Sequence, residues 1–512
     1  MAGGVGRQLA ELPLLVVLLG AVALSAWLPA AHATILRDAP TAQAFFYGGL
    51  ILLVLTVMLG LATHHRILRH PAQAQLASVA GAYLILPLAM ALPLRVAVPD
   101  TTWVNAWFEM LSTFSTTGAS VYEPGRLPPS VHLWRALTGW FGGFFILLVA
   151  WSILAPLNLG GAEVWSGHVP GRGPGMPGQS QRPAEAGLRL QRQALDLLPV
   201  YAALTLALWL LLLIAGEDGL LALTHAMGTL STSGISAGIG MSVTGSGLPG
   251  EVLVFLFLCL ALSRPLMPMP GRAHMEEPLW RDPELRLAFV VVALVVAALL
   301  LRHLMSEAQA QENETLGGLI RAFWGATFTT VSFLTTTGYE SAWWSSARAW
   351  AGLGAPGMVL LGLAILGGGV ATTAGGVKLL RVYALFLQGQ RELERIVHPN
   401  SVGGKGAFRR RLAREGAYMA WVFFMLFAMS LALVTVALNL AGLAFEPALV
   451  LGVAALTTTG NLAQVAVAEP VSYGAQSTAV KLILGVAMVV GRLEVLALVA
   501  LIVPESWRQW KR

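Results

Sequence analysis

Long apolar runs separated by short polar segments make up most of this chain. Eight runs are long enough to cross a bilayer as helices, because its hydrocarbon core spans about 20 apolar residues. These runs lie at 12–31, 43–63, 75–97, 133–156, 194–215, 286–305, 412–440 and 477–503. Two further runs are imperfect, since 250–266 is short and 351–387 is interrupted by glycines. Polar and apolar residues do not alternate within the runs, so the pattern predicts an all-α polytopic membrane protein with ten spans.

Four shorter apolar segments end in nearly the same sequence. They lie near 105–117, 221–233, 322–337 and 446–459, and each is too short to span a bilayer as a helix. Each closes with Thr or Ser followed by glycine: Thr116-Thr117-Gly118, Thr232-Ser233-Gly234, Thr336-Thr337-Gly338 and Thr458-Thr459-Gly460. A single such turn is typical of helices packed closely through small residues. Four turns at a near-constant spacing predict one unit used four times around a common axis.

The chemistry of these turns suits a cation path. A half-helix that enters from outside places the negative end of its dipole near mid-membrane, and backbone carbonyls beyond it can replace a cation's hydration shell. Irregular backbone at that depth is tolerated only where it lines a cavity or is buried in protein. None of the four turns contains a carboxylate, which favours a large monovalent cation over calcium or magnesium. Glu123 and Glu340 lie just beyond two turns and are expected to concentrate cations at the mouth.

Charge and composition fix the orientation that we expect. Of the 512 residues, 56% are hydrophobic and only 11% are charged, against about 25% charged in soluble proteins. Lys and Arg concentrate in alternate loops, including 157–193 and 388–414, which predicts that both termini are cytoplasmic. The first run is expected to be retained as a helix rather than cleaved as a signal peptide. The single cysteine, Cys259, excludes a disulfide framework.

Five longer stretches carry a family resemblance together with the four turns. They are WFGGFFILLVAWSIL (140–154), WRDPELR (280–286), GGGVATTAGGVKLLRV (367–382), QGQRELERIVHPNSV (388–402) and GRLEVLALVALIVPESW (491–507). The chain resembles the Trk/Ktr/HKT superfamily of potassium transporters, specifically its TrkH-like pore-forming subunits, over about residues 40–512. The resemblance implies four pseudo-repeats of helix, pore half-helix, filter turn and helix around one central pore, with two helices before them.

This architecture divides the chain into five parts. Residues 1–72 would form the two N-terminal helices, 73–193 the first repeat with a flexible cytoplasmic linker, 194–284 the second repeat, 285–408 the third repeat with a broken gating helix, and 409–512 the fourth repeat.

The broken helix and one arginine are the candidates for a gate. A segment so rich in glycine cannot hold a continuous helix well, and the resemblance makes it a loop that blocks the path below the filter. Its candidate residues are Gly367, Gly368, Gly369, Thr372, Thr373, Gly375, Gly376 and Lys378. Arg492 lies deep within the last run, where an arginine is a functional hypothesis by default. The alternative is a structural pair with Glu494, but residues two apart on a helix do not face each other.

The resemblance implies potassium uptake across the bacterial inner membrane by a homodimer. It also implies a cytosolic ring of nucleotide-binding regulatory subunits, of NAD or ATP type, docked on the basic loops. Potassium would be the transported ion, with no covalent cofactor, and channel-like transport and symport with protons or sodium both stay open. Gly118 favours potassium, because a serine at this position accompanies sodium preference in plant HKT relatives. Turn four, Thr457 to Asn461, departs from the Asn-rich turn followed by Gly-Pro-Gly of close relatives, and its extra hydroxyls could shift the potassium/sodium ratio.

Three alternatives remain beside a potassium transporter. The first is a sodium-permeable or poorly selective cation transporter of the same fold. The second is a membrane sensor that does not conduct. The third is an intramembrane enzyme, which would need a nucleophile with its base or a metal motif such as H-E-x-x-H. The sequence contains no such metal motif.

Overall fold

The computed structural model describes most of the chain at full detail. It covers residues 13–63, 71–155, 159, 161, 164, 183–238, 245–267, 279–310, 316–345, 347, 357–397, 416–467 and 469–494, with backbone alone at 71–74, 183–188, 303–310 and 316. Within these residues the regular structure is helical and contains no strand, as the sequence predicts.

The helices follow the apolar runs. They are α1 (Leu14–Ser25), α2 (Trp27–Ile35), α3 (Ala39–Thr63), α4 (Pro71–Ala97), α5 (Trp103–Phe114), α6 (Pro129–Val149), α7 (Pro183–Ile214), α8 (Gly219–Leu230), α9 (Gly247–Leu258), α10 (Pro283–Ala310), α11 (Leu316–Leu334), α12 (Gly357–Leu366), α13 (Leu379–Val397), α14 (Ala417–Leu440), α15 (Phe445–Leu456), α16 (Leu462–Val465) and α17 (Thr478–Leu493). A π-helical turn, Ala150–Leu154, extends α6. Short 3₁₀ turns lie at Pro124–Arg126, Cys259–Ala261, Arg264–Leu266 and Leu279–Arg281.

Seven helical segments in the described part of the chain are long and apolar enough to cross a membrane. They are Leu14–Ile35, Ala39–Thr63, Gln75–Ala97, Pro129–Leu154, Arg189–Ile214, Pro283–Arg302 and Ala417–Leu440. The predicted span 250–266 is instead α9, which ends at Leu258, followed by two 3₁₀ turns, the second of which contains Pro265. The predicted span 351–387 is divided between α12 and α13, and of 477–503 the structure describes only the part up to 494. The count of ten spans therefore stays a prediction.

Helices form at all four of the predicted half-helix segments. They are α5, α8, α11 and α15, and three of them contain 12 residues each. The helix α11 begins earlier than predicted and contains 19 residues. The hydrophobic core has two large parts. One joins α1–α6 to α14, α15 and α17, and the other joins α6–α13 to α15. Each half-helix is thus held inside the bundle rather than on its surface.

One predicted boundary is wrong in the structure. The linker assigned to 157–193 ends earlier, because residues 183–193 are already helical and continue into the apolar part of α7. Helix-forming Ala, Leu, Gln and Arg residues dominate this stretch, which explains the extension. The other proposed divisions between repeats remain predictions.

Candidate functional site

Each half-helix ends in the same backbone turn. We number these turns 1 (115–118), 2 (231–234), 3 (335–338) and 4 (457–460). In turn 1 the amide of Thr117 donates to the carbonyl of Ser112 at 2.8 Å, and the corresponding bonds in turns 2, 3 and 4 measure 2.9, 2.9 and 2.8 Å. This six-to-one bond, with a left-handed residue inside it, is the Schellman ending of a helix. The half-helices therefore stop at equivalent positions.

The left-handed residue in every turn is a threonine. The φ angles of Thr116, Thr232, Thr336 and Thr458 are 57°, 50°, 59° and 56°. A β-branched residue rarely adopts this conformation, and holding it there costs about 1–3 kcal/mol per residue. The surrounding packing must supply that energy at four positions, which is typical of a functional site rather than of a neutral connection.

Hydroxyl pairs brace each turn from within. The first and third side chains of turn 1, Ser115 and Thr117, are hydrogen-bonded at 2.8 Å. The equivalent pairs in turns 2, 3 and 4 are bonded at 2.8, 3.1 and 3.2 Å. The Thr and Ser hydroxyls at these positions are therefore used mainly to stiffen the turns, which leaves the backbone as the main source of oxygen ligands.

The four turns contact one another in a closed ring. A Cβ atom on Gly118 would overlap the carbonyl oxygen of Ser233, and one on Gly234 would overlap that of Thr337. The Asn461 side chain, next to turn 4, donates to the carbonyl of Gly338 at 2.9 Å. The last contact closes the ring, because the amide of Gly460 in turn 4 donates to turn 1.

Gly460 N–H bonds to the Thr117 carbonyl at 2.6 Å. The order of contact is therefore 1–2–3–4–1, and we call this arrangement the turn ring. The structure brings all twelve predicted filter residues into it, and their Thr and Ser members are no more than 2% exposed.

Buried polar side chains hold the irregular segments that leave turns 1 to 3, and sequence reasoning missed them. The residue nine positions before the glycine is Glu109, His225 or Thr329 in these turns, and Leu451 in turn 4. Glu109 accepts from the amide of Val121 at 2.8 Å. His225 Nε2 is bonded to the Ser236 hydroxyl at 2.8 Å, and the Thr329 hydroxyl accepts from the amide of Ser341 at 3.3 Å. A polar residue at the same distance before the glycine in three of the four turns is the sequence signal that could have identified them.

Two of these side chains have a buried charged partner. Arg135 Nε donates to Glu109 at 2.6 Å, and the side chains are 6% and 0% exposed. His225 Nδ1 is bonded to Glu217, and both of these side chains are fully buried. A buried carboxylate needs such partners, because an unpaired charge in the interior is very costly.

Polar side chains at the proposed outer face differ in exposure. Glu123 is exposed and Glu340 is half-buried. Arg126 donates to Asp100 at 2.5 Å on the surface, and this hydrogen bond lowers the pKa of the Asp100 carboxyl. Burial raises the pKa of Tyr122 to about 12, so its hydroxyl keeps its proton at physiological pH.

The predicted break in the apolar run 351–387 is present. The irregular segment 367–378, which we call the loop, separates α12 from α13. Its φ angle is positive at Gly367, Ala371, Gly376 and Lys378. The amides of Val377 and Lys378 donate back to the last turn of α12, each at 2.9 Å. The chain therefore leaves the helix and returns to nearly the same point.

The loop lies directly against the turn ring. The amide of Gly375 donates to the Thr336 hydroxyl at 2.7 Å, and a Cβ atom on Gly375 would overlap the carbonyl of Thr457. The Thr373 hydroxyl donates to the carbonyl of Leu230, the residue before turn 2, at 3.3 Å. Movement of the loop would thus be felt at turns 2, 3 and 4.

Arg492 reaches the loop from α17. Its side chain is buried, and its Nη1 atom donates to the carbonyl of Thr373 at 2.7 Å. Glu494 forms its ion pair with Arg381 at 2.6 Å, and the Arg381 guanidinium lies 3.6 Å from the ring centre of Phe423. A pair between Arg492 and Glu494 is therefore not needed to explain either residue.

A small cavity lies between the loop, the end of α6 and Arg492. Its volume is about 30 Å³, and Lys378 and Glu494 also line it. The Lys378 ammonium group bonds to the carbonyl of Ala374 within the loop. Arg492 and Lys378 thus place two basic side chains at this cavity, beside the carboxylate of Glu494.

Glu284 ties the loop to the segment that follows α9 and gives the WRDPELR stretch a role. It is 1% exposed and accepts from the amides of Val370 at 2.8 Å and Arg264 at 3.3 Å. The amide of Gly369 also donates to the carbonyl of Ala261 at 3.0 Å. The described residues contain no cluster of His, Cys, Asp and Glu that could hold a metal ion.

Comparison with known proteins places these features in one family. The family model for TrkH, a cation transport protein, matches residues 272–511. The Trk system potassium uptake protein TrkH of Escherichia coli K12 is 30% identical over 422 residues, which cover 80% of this chain and 81% of that protein. The TrkH protein of Vibrio parahaemolyticus is 28% identical over 437 residues, covering 83% and 84%.

A solved structure agrees over nearly the whole length. The crystal structure of the potassium transporter TrkH from Vibrio parahaemolyticus superimposes with a TM-score of 0.76 and 25% sequence identity. The match covers 98% of this chain and 99% of that one. The fold described above, including the short helices and the broken one, is therefore similar to that of a known transporter.

Proposed function

Because the chain belongs to the TrkH family of cation transport proteins, we propose that it takes up potassium across the bacterial inner membrane through the turn ring. As a member of a family of transport proteins, the chain is not an enzyme, as the sequence predicts. The observation that supports the proposal most strongly is the closed contact of four turns with the same backbone conformation. Potassium is proposed as the ion because relatives of this chain are named potassium uptake proteins.

The turn ring would act as the selectivity filter. Backbone carbonyls of turns 1 to 4 would take the place of water around the ion, and the four half-helices would direct the negative ends of their dipoles toward it. The neutral oxygens of Thr, Ser and Gly backbone suit a monovalent cation. The Schellman endings and hydroxyl pairs would keep the carbonyls in place while ions pass.

The loop and Arg492 would form the gate. In the proposed closed state the loop lies under the turn ring, and Arg492 holds it through the carbonyl of Thr373. The basic side chains of Arg492 and Lys378 would oppose cations at the cavity beside it. Opening would then require the loop to leave its contacts with Thr336 and Thr457, while Glu284 anchors its other side.

The oligomer and the regulatory partner belong to the same proposal. Both termini would be cytoplasmic, and two copies would form a homodimer. The last residues of α13, 392–397, are exposed and continue into the basic segment 398–414, which lies outside the described residues. A cytosolic ring of nucleotide-binding subunits, of NAD or ATP type, would dock on this surface and on the basic linker that follows α6.

A sodium-permeable or poorly selective transporter of the same fold is the second candidate. The observation that favours it is the inequality of the four turns, since Asn461 donates to a carbonyl of turn 3. A sensor that does not conduct would share the fold but would fail any flux test. Proton or sodium coupling would appear as a dependence of uptake on the gradient of that ion.

Uptake of radioactive rubidium into liposomes tests the proposal. The purified protein should take up rubidium, and Gly118→Arg should abolish uptake, since any side chain there overlaps Ser233. Gly125→Arg is the matched control, because this exposed glycine has open space around its Cβ position. Absence of uptake by the unaltered protein, or equal uptake by both variants, would contradict the proposal. Competition by sodium tests the second candidate, a poorly selective transporter. An imposed pH gradient tests whether uptake is coupled to protons.

A further inference from the structure

Asn461 is the residue through which turn 4 reaches the opposite side of the turn ring. Its Nδ2 atom donates to the Gly338 carbonyl in the neighbouring turn 3 at 2.9 Å. A Cβ atom on Gly234, in turn 2, would lie only 3.0 Å from the same Nδ2 atom. Because the turns contact in the order 1–2–3–4–1, turn 2 is diagonal to turn 4. The amide group of Asn461 therefore lies where turns 2 and 3 meet.

No equivalent group exists in the other three turns. The residues that follow the glycines of turns 1, 2 and 3 are Ala119, Ile235 and Tyr339. Ala119 and Ile235 have apolar side chains, and the Tyr339 hydroxyl donates to the carbonyl of Ile235 at 3.2 Å. None of them carries an amide. Asn461 thus makes the ring chemically unequal at one position.

The hydrogen bond occupies one carbonyl. An oxygen that accepts from an N–H group is less available as a cation ligand than a free carbonyl is. Selectivity between potassium and sodium depends in part on the number of carbonyl oxygens that replace water, and the larger potassium ion needs more of them than sodium does. Loss of one carbonyl from the set therefore weakens potassium binding more than sodium binding.

We propose that Asn461 is a specificity-determining residue that lowers the preference of the turn ring for potassium over sodium. It does so by occupying the Gly338 carbonyl with an amide that lies where turns 2 and 3 meet. This inference rests on the proposed function, since it assumes that ions pass through the ring. It adds a single side chain that sets the selectivity of this particular chain.

Two substitutions at this position remove the amide in different ways. Asn461→Ala removes most of the side chain, and Asn461→Leu keeps a similar volume without a hydrogen-bond donor. Both should free the Gly338 carbonyl. We expect the sodium concentration that halves rubidium uptake to rise about 3- to 10-fold, which corresponds to one net hydrogen bond. Agreement between the two variants separates the loss of the donor from the loss of volume.

Asn439→Ala is the matched control. The Asn439 side chain also donates to a backbone carbonyl, that of Thr435 at 2.8 Å, but it lies on α14 rather than on a turn. Its substitution should leave the sodium concentration for half-inhibition unchanged. An equal rise in this control would overturn the inference, because the effect would then follow from any lost amide bond.

The outcomes separate this inference from the function on which it rests. Rubidium uptake by the unaltered protein together with unchanged sodium competition in both Asn461 variants would overturn the inference and leave the proposed function intact. Absence of rubidium uptake by the unaltered protein would overturn both. Uptake with weaker sodium competition in both variants and not in Asn439→Ala would support the assignment.

Discussion

Turns 1 to 3 and turn 4 share one backbone turn but differ in why each needs its glycine. Gly118, Gly234 and Gly338 have φ angles of 73°, 63° and 79°, which L side chains rarely adopt. Gly460 does not have a positive φ; instead, a Cβ atom there would overlap the amide nitrogen of Ala119 in turn 1. Glycine thus meets a conformational need in turns 1 to 3, to which close approach is added at Gly118 and Gly234, whereas in turn 4 it meets a need for close approach alone.

The two groups of turns are also held by different contacts. Glu109, His225 and Thr329 hold the irregular segments that leave turns 1 to 3. The equivalent position in turn 4, nine residues before its glycine, is Leu451. Turn 4 relies on the Tyr473 hydroxyl, which donates to the Gly460 carbonyl at 2.9 Å. The comparison shows that a repeated local sequence produces the repeated turn, while its attachments have diverged. Turn 4 closes the ring through Gly460, and it also differs most from the other turns in its contacts.

The largest effect is expected where a buried ion pair supports turn 1. Glu109→Ala leaves Arg135 buried without its carboxylate, which should cost about 3–5 kcal/mol of unfolding free energy. The matching change at turn 4, Tyr473→Phe, removes one neutral hydrogen bond and should cost about 1 kcal/mol. Thermal unfolding in detergent measures both. Equal losses would remove the distinction between the two kinds of support.

Arg126→Ala is the control for the Glu109 substitution. Arg126 also pairs with a carboxylate, but both partners are exposed at the surface, and pairs of this kind contribute little because water screens them. We expect an unfolding temperature close to that of the unaltered protein. A large loss in this variant would show that the method responds to the loss of any ion pair, whether buried or exposed.

A smaller effect in free energy, but a clear one in flux, is expected at the gate. Arg492→Ala removes the donor that holds Thr373, so the loop should leave turns 3 and 4 more often and the basal rubidium leak should rise. Loss of about 1.4 kcal/mol of restraint would raise the leak about tenfold. Arg395→Ala, at an exposed position on α13, is the control. An unchanged leak in Arg492→Ala would remove Arg492 from the gate.

Much of this organisation could be predicted from the sequence because it depends on local patterns. The lengths of the apolar runs located the half-helices, and the glycines of 367–376 located the break between α12 and α13. The depth of Arg492 in its run indicated a buried arginine, and the structure places it against the loop. These features follow from neighbouring residues and from the thickness of a bilayer.

Other features could not be predicted because they depend on distant contacts or on strain. Glycine adopts the left-handed conformation readily, but Thr116 and its three counterparts also adopt it, which propensity alone would not suggest for β-branched residues. The bond from Asn461 to Gly338 joins residues that are 123 positions apart in the chain. The extension of α7 to Pro183 was missed because a polar helical start resembles a linker when only hydropathy is considered.

The central claim is that the turn ring is the path of the ion. Anomalous scattering from crystals of the protein grown in rubidium tests this claim most directly, since it locates the ion without any substitution. We predict a peak enclosed by turns 1 to 4, close to the carbonyls of Thr117, Ser233 and Thr337. Ordered rubidium elsewhere along the membrane-spanning part, with none enclosed by the four turns, would contradict the account.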